Sequence, residues 1–250
     1  MMLTNKQIKL INSLHSKKGR TENELFLVEG EKGIQEVLDS SFGVEFLVIN
    51  EEYSDLFSSP TIPTYFVSKD EITKLSTLTI NQYGLAIVRT KMVHSLSSLE
   101  NQVLVLDGVR DPGNLGTIIR ICDWYGISQI VLSNDCTEFY NPKVIAATMG
   151  SFKRVTCFYT DLTKFFQANP EHKILGADLS GENLHTYSFP SKSFIVMGSE
   201  SHGIREEVSA FIQERITIPR FGEAESLNVA ISTGIILDHV RRNQSLSGLK

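Results

Sequence analysis

Ile218-Pro-Arg-Phe-Gly-Glu-Ala-Glu-Ser-Leu-Asn-Val-Ala-Ile231, with the apolar run that continues to Arg242, is the stretch whose reading decides the fold. A strand over residues 215–218 stops at Pro219, and a loop follows that holds Gly222 and the carboxylates Glu223 and Glu225. Ser226 is of the residue type that caps helices, so a helix is expected from Leu227. Its apolar residues Val229, Ala230, Ile231, Ile235, Ile236, Leu237 and Val240 point nearly all round the axis. A surface helix keeps one polar face. This one is therefore predicted to be buried on two sides, one against its own sheet and the other against a partner chain. Ser226 and Asn228 stand at its start, where free backbone N–H groups gather and favour a ligand. On this stretch alone a capped core helix is an equal reading.

Upstream, two more polar, Gly-bearing loops follow apolar strands. Val103-Leu-Val-Leu-Asp107 reads as a strand of the parallel kind, covered on both faces. It leads into Val109-Arg-Asp-Pro-Gly-Asn-Leu-Gly-Thr-Ile-Ile-Arg120, where Leu115, Ile118, Ile119, Cys122 and Tyr125 form one apolar helical face. At 100° per residue Arg120 lies about 160° from the centre of that face, with Thr117 and Trp124 beside it. An outward Arg is commonly just solvated, but a Trp beside it asks for a partner chain or a ligand on that side. The strand at 194–197 ends in Gly198-Ser-Glu-Ser-His-Gly203. Further strands are expected at 129–132, 154–158 and 173–177, and helices at 142–149, 162–168 and 205–212. In parallel sheets ligands bind at the carboxyl ends of strands, so the loops 107–116, 198–203 and 219–228 make the candidate site.

Before residue 92 the pattern is strand, helix, strand, helix: strands at 25–28, 44–49, 64–67 and 84–89, helices at 33–38, 53–57 and 69–75. That alternation predicts a small α/β domain over residues 1–92. Residues 93–101 lose the periodicity and are expected to be a linker, with the second domain over 102–250. Residues 1–21 contain no acid but carry Lys6, Lys9, Lys17, Lys18 and Arg20. A basic run is often only a solvated face. In a chain of net charge −5 a local cationic arm is also what phosphate contact requires.

That net charge argues against nucleic-acid binding through bulk charge alone. The three cysteines form no Cys-x-x-Cys pair and the six histidines show no metal spacing, so no metal is expected and the thiols are read as reduced. No apolar run approaches a membrane span and no signal-peptide core opens the chain. A cytoplasmic setting is expected. There is no Gly-x-Gly-x-x-Gly after a strand and no Gly-x-x-x-x-Gly-Lys-Ser/Thr, which argues against dinucleotide and phosphate-loop sites. Ser201 beside His202 lacks the Gly that a nucleophile elbow needs two residues earlier, because that position is Ser199. Glu223 and Glu225, one residue apart on a loop, read as solvated more readily than as an acid/base pair.

Taken together, Asp111 to Arg120, Val196 to Gly203 and Ile218 to Val229 resemble the three motifs of the SpoU (TrmH) family of RNA 2′-O-ribose methyltransferases, in order and at family-like spacing. Phe26-Leu-Val-Glu-Gly30 with its basic arm is similar, more loosely, to the RNA substrate-binding domain of many members. The resemblance implies a C-terminal α/β domain with a parallel sheet threaded into a trefoil knot, S-adenosylmethionine bound within it, and an obligate homodimer. By motif position Gly198, Ile218, Leu227 and Asn228 would meet the cofactor. Arg120, Asn114, Glu200, Ser226 and Asn228 would form the catalytic polar set. Lys17, Lys18, Arg20 and Arg110 are the expected RNA contacts. Ribosomal RNA is favoured as substrate by the additional N-terminal domain. The alternatives are a transfer RNA ribose methyltransferase, or an RNA-binding or ribosome-assembly factor that kept the fold without the chemistry. The nucleotide modified is not legible in the residues, nor is whether Arg120 serves its own or its partner's site.

Overall fold

The computed structural model describes residues 3–57, 61–91, 93–96 and 98–242. It divides into two compact units, residues 1–92 with 138–153, and residues 93–137 with 154–250. The expected linker includes Ser97, which lies outside the described residues, as do Met92 and 243–250.

The first unit opens with α1 (Asn5–Ser13) and α2 (Lys17–Asn23). A capping box starts α1: the Thr4 hydroxyl accepts from the Gln7 backbone while the Gln7 side chain reaches back to Thr4. Then come β1 (Leu25–Glu29), α3 (Glu31–Leu38), β2 (Val44–Asn50), a 3₁₀ turn at Glu51–Leu56, β3 (Thr64–Val67), α4 (Lys69–Leu75) and β4 (Gly84–Arg89). The strands form one sheet in the order β1-β4-β2-β3. Ile11, Leu14, Leu27, Val48, Ile72 and Leu85 make its buried core. Glu29 ends β1 inside the protein, where its carboxylate accepts from the Ser76 hydroxyl (2.6 Å) and the Thr77 amide (2.9 Å). A carboxylate in that place needs such partners, and it ties the loop after α4 to the sheet.

The second unit begins before β5 (Gln102–Leu106). Leu96 and Leu99 pack against its core, and the Glu100 carbonyl meets His172 Nε2 at 2.9 Å. The segment expected to link two domains therefore belongs to the second one. After β5 come α5 (Pro112–Trp124) and β6 (Gln129–Ser133). The chain then crosses to the first unit and forms α6 (Pro142–Thr148) and a 3₁₀ turn at Ser151–Lys153. There Tyr140 and Phe152 surround Phe26, with ring centroids at 4.4 and 6.1 Å. The expectation of a contiguous second domain is corrected at this point. Residues 138–153 carry aromatic groups that the first unit buries.

Back in the second unit the chain forms β7 (Thr156–Thr160), α7 (Leu162–Ala168), β8 (Lys173–Asn183), β9 (Ser193–Met197), α8 (Glu206–Ser209), β10 (Glu214–Thr217) and α9 (Val229–Arg242). Six strands run in the order β10-β8-β9-β5-β6-β7, and each neighbouring pair is parallel. Every residue of β5 and β9 is buried, as a sheet covered on both faces requires. Val103, Val131, Phe165, Phe166, Phe194 and Val196 form the core on one face. Helices α5 and α9 pack against each other. Pairing of β8 with β10 breaks between Arg215 and Ile216, whose partners on β8 are Gly176 and Glu182, so β8 bulges over residues 177–181. That excursion is why β8 runs past the expected end at Ala177. Helix α8 is shorter than the expected 205–212.

Candidate active site

Three loops at the carboxyl ends of β5, β9 and β10 build the site. Asp111 caps α5 by accepting from the Asn114 amide at 2.8 Å, with Pro112 in the first turn, where no N–H is needed. Asn114 therefore sits in the first turn of α5 with its carboxamide free to turn away from the helix. Its Nδ2 donates to Glu200 Oε1 at 3.0 Å. Asn228 donates from Nδ2 to the same Glu200 oxygen at 2.6 Å and to Asn114 Oδ1 at 2.9 Å. Its own Oδ1 accepts from the amides of Ala230 (3.0 Å) and Ile231 (3.3 Å). Asn228, not Ser226, is thus the cap of α9, and the helix starts later than expected. Both residues have capping chemistry, and the choice is made by the contacts that Asn228 finds on the other two loops.

The loop after β9 is held by an ion pair between buried Asp107 and half-exposed Arg205, neither of them in the motif positions expected to be functional. Asp107, at the end of β5, accepts from the Arg205 amide (2.8 Å) and from its Nε (2.7 Å). A carboxylate closing an otherwise apolar strand was the signal in the sequence. Asp135 joins them, accepting from the Ser133 hydroxyl (2.7 Å) and from Arg110 (3.0 Å). Burial works to raise the Asp135 carboxyl, but Ser133, Arg110 and Arg205 outweigh it and leave it below its ordinary value. Within the loop, Ser199 and Gly203 exchange backbone hydrogen bonds at 2.9 Å. That closure brings Gly203 so near Gly198 that a Cβ on Gly198 would stand 2.1 Å from the Gly203 carbonyl carbon. Only glycine fits there.

Behind this loop lies a cavity of about 690 Å³, within the range of small-molecule sites. Gly198, Ile218 and Leu227 line it, as does Ser226, whose hydroxyl has no hydrogen-bond partner among the described residues. The bulge of β8 supplies Asp178 and Leu179 to the wall, residues that no local pattern marked. Asn228 lies between Leu227 and Val229, which line the cavity, and its side chain joins Asn114 and the lining residue Glu200. Ser201 Oγ lies 2.7 Å from His202 Nδ1, both exposed, and no third group orients the ring among the described residues. Glu223 and Glu225 are exposed and unpaired among those residues.

Arg120 is exposed, as its helical position predicts, and does not line the cavity. Trp124 beside it is 84% exposed. Among the expected RNA contacts Lys17 is exposed, Lys18 faces Glu22 at 3.7 Å, and Arg110 is held by Asp135 yet largely open to solvent. Arg20 is not a phosphate contact. It is buried, donates from Nη1 to the Leu14 carbonyl (2.8 Å), and pairs through Nε and Nη2 with Glu138 at 3.1 and 2.6 Å. Among the described residues no cluster of three or more His, Cys, Asp or Glu could hold a metal, and no helix is long and apolar enough to cross a membrane.

A parallel α/β sheet with a cavity at its strand ends, bordered by a carboxamide–carboxylate cluster, defines a small-molecule-binding α/β domain. Residues 101–238 match the SpoU rRNA Methylase family model, and residues 5–86 match the MRM3-like substrate binding domain. The chain is similar to the 23S rRNA (guanosine(2553)-2′-O)-methyltransferase RlmP of Bacillus subtilis (strain 168), at 29% identity over 95% of this chain and 96% of that one. A TrmH-family protein from Porphyromonas gingivalis has the same fold, with a TM-score of 0.88 and 34% identity over 98% of this chain and 100% of that chain. So does an AdoMet-bound rRNA methyltransferase from Sinorhizobium meliloti, with a TM-score of 0.84 and 29% identity over 98% and 97%. The chain belongs to the SpoU rRNA methylase family.

Proposed function

We propose that this protein transfers a methyl group from S-adenosylmethionine to a ribose 2′-hydroxyl of ribosomal RNA. The observation that carries the reading is the cavity behind the Gly198–Gly203 loop, bordered by Asn114, Glu200 and Asn228. The cavity fits the cofactor in size. Met197, Ile216, Ile218 and Leu227 offer apolar walls, and glycine at 203 leaves open space beside its backbone. Ribosomal rather than transfer RNA is supported by the family and by the 23S rRNA enzyme that aligns along nearly the whole chain.

When bound, S-adenosylmethionine supplies an activated methyl group on a sulfonium, and Gly198, Ile218 and Leu227 are the residues that would hold it. The chain's own task is to align the ribose hydroxyl and favour loss of its proton. A guanidinium is a hydrogen-bond donor with no acceptor, so Arg120 is read as a donor and not as a base. Its guanidinium grips the phosphate beside the target and stabilises the alkoxide as it forms, while the proton leaves to phosphate or water. Glu200 holds two carboxamides in fixed orientation, so that Asn114 presents itself toward the ribose. Ser226 offers a hydroxyl without a partner among the described residues at the cavity wall.

The same proposal includes a homodimer in which Arg120 works at the partner's cavity. Its absence from the lining of its own chain's cavity supports this, as do the exposed Trp124, Leu227 and Ile231, which a partner would cover. It also includes the trefoil knot, supported by the strand order with β10 outermost and α9 returning to α5, and a cytoplasmic setting. The first unit is read as the RNA-holding part, on the strength of its match to a substrate binding domain. Lys17, Lys18 and Arg110 remain as phosphate contacts. Calorimetry tests the cofactor: S-adenosylmethionine should bind at about one site per chain, and NAD and ATP should not. No binding of S-adenosylmethionine, with or without ribosomal RNA, removes the reading.

A further inference from the structure

The first unit holds a groove that this mechanism leaves unused. It measures about 590 Å³ and lies between α1, the end of α2 and β3, with Lys6, Gln7, Lys9, Asn23 and Tyr65 in its walls. Lys6 and Lys9 lie three residues apart, close to one helical turn, and are both exposed. Neither ammonium has a carboxylate or hydrogen-bond partner among the described residues. Nothing in residues 1–21 offsets them, since that segment contains no acid. The Tyr65 ring is half-buried and fixed edge-to-face against Phe46, with centroids 5.6 Å apart and planes at 86°. Its hydroxyl has no protein partner among the described residues. Asn23 spends its amide on the Gly19 carbonyl at 2.7 Å, which leaves its side-chain oxygen open. Gln7 uses its oxygen to cap α1, with its amide nitrogen left over.

Two free cations, one immobilised aromatic ring and two open carboxamide groups are the complement of a single unpaired nucleotide. We infer that this groove is an RNA subsite in which Lys6 and Lys9 take phosphates, the Tyr65 ring stacks a base, and Asn23 and Gln7 meet the ribose or base edge. The inference rests on the proposed function only for the nature of its ligand. Unpaired RNA is specified over duplex because a base inside a helix has no free face to offer a ring, whereas a splayed base does. Lysines without carboxylate neighbours suit a polyanion, whose binding falls with salt as counterions are released. The subsite is separate from Lys17 and Lys18, which do not line the groove. It would hold a flanking single-stranded segment while the second unit acts on the target.

The test uses the full chain with two labelled probes, octauridylate and an RNA hairpin of similar charge, read by fluorescence anisotropy over a salt series. Wild type should favour octauridylate. A double variant, Lys6→Ala with Lys9→Ala, should weaken binding and reduce the slope of log Kd against log salt by roughly one to two. Tyr65→Leu should weaken binding roughly tenfold with the slope unchanged, and Tyr65→Phe should bind as wild type. S-adenosylmethionine binding should be the same in all four proteins. Wild-type affinity and slope in the lysine variant overturn the subsite, and so does a hairpin preference in wild type. The lysines are on the surface, so that variant remains informative if Tyr65→Leu unfolds. Loss of cofactor binding in wild type would instead overturn the proposed function and leave the groove to be judged by its RNA data.

Discussion

Arg20 and Arg120 carry the same guanidinium in opposite surroundings. Arg20 is 3% exposed and clamped by Glu138 and the Leu14 carbonyl, so Arg20→Ala should lower stability by more than about 1 kcal/mol in a denaturant titration. Changing Lys17 and Lys18 to Ala should leave stability alone and flatten the salt dependence of RNA binding. If Arg20→Ala is as stable as wild type, the ion pair is dispensable. Arg120 stands in solvent, so Arg120→Ala should keep the fold and the cofactor affinity. Single-turnover methyl transfer should fall by a factor of roughly a hundred or more, as when a transition-state donor is lost. Arg120→Lys should rescue poorly, because an ammonium cannot make a guanidinium's paired contacts. Undiminished turnover in the Ala variant would end the catalytic assignment. The outward position of Arg120 was legible in the sequence because helical periodicity is local. The burial of Arg20 was not, because its partner lies 118 residues away and charge along the chain says nothing of a distant carboxylate.

Among elements, those with local signals were readable to the residue: β3, β4, α4 and α7 have the expected bounds, with Ser68 and Asp161 as caps. Where long-range pairing decides, expectation and structure part. The extension of β8 depends on β10, and the start of α9 depends on Asn228 meeting Asn114 and Glu200. The loop after β9 is the element on which the site turns. Its closure leaves no room at Gly198, so Gly198→Ala must displace the Gly203 backbone rather than a flexible side chain. S-adenosylmethionine affinity measured by calorimetry should drop sharply in that variant while the far-ultraviolet circular dichroism stays native. Normal affinity would mean that the loop can open without consequence for the site.

At the scale of the whole molecule, the passage of residues 138–153 into the first unit is the feature least visible in the sequence, since it follows from the packing of Phe26 with Tyr140 and Phe152. The homodimer is the other whole-molecule claim. Trp124→Glu combined with Ile231→Glu should yield monomers in sedimentation, with methylation lost although each chain still folds. A monomeric wild type would contradict it. The most direct test of the account is methyl transfer itself. Purified protein is incubated with S-adenosylmethionine carrying a labelled methyl group and with ribosomal RNA from cells lacking the gene, and the product is mapped for 2′-O-methyl sites. Label is expected at a ribose 2′-oxygen of the ribosomal RNA, and is expected to be lost in Arg120→Ala. Label on a base, label on transfer RNA alone, or no transfer despite bound cofactor would contradict it.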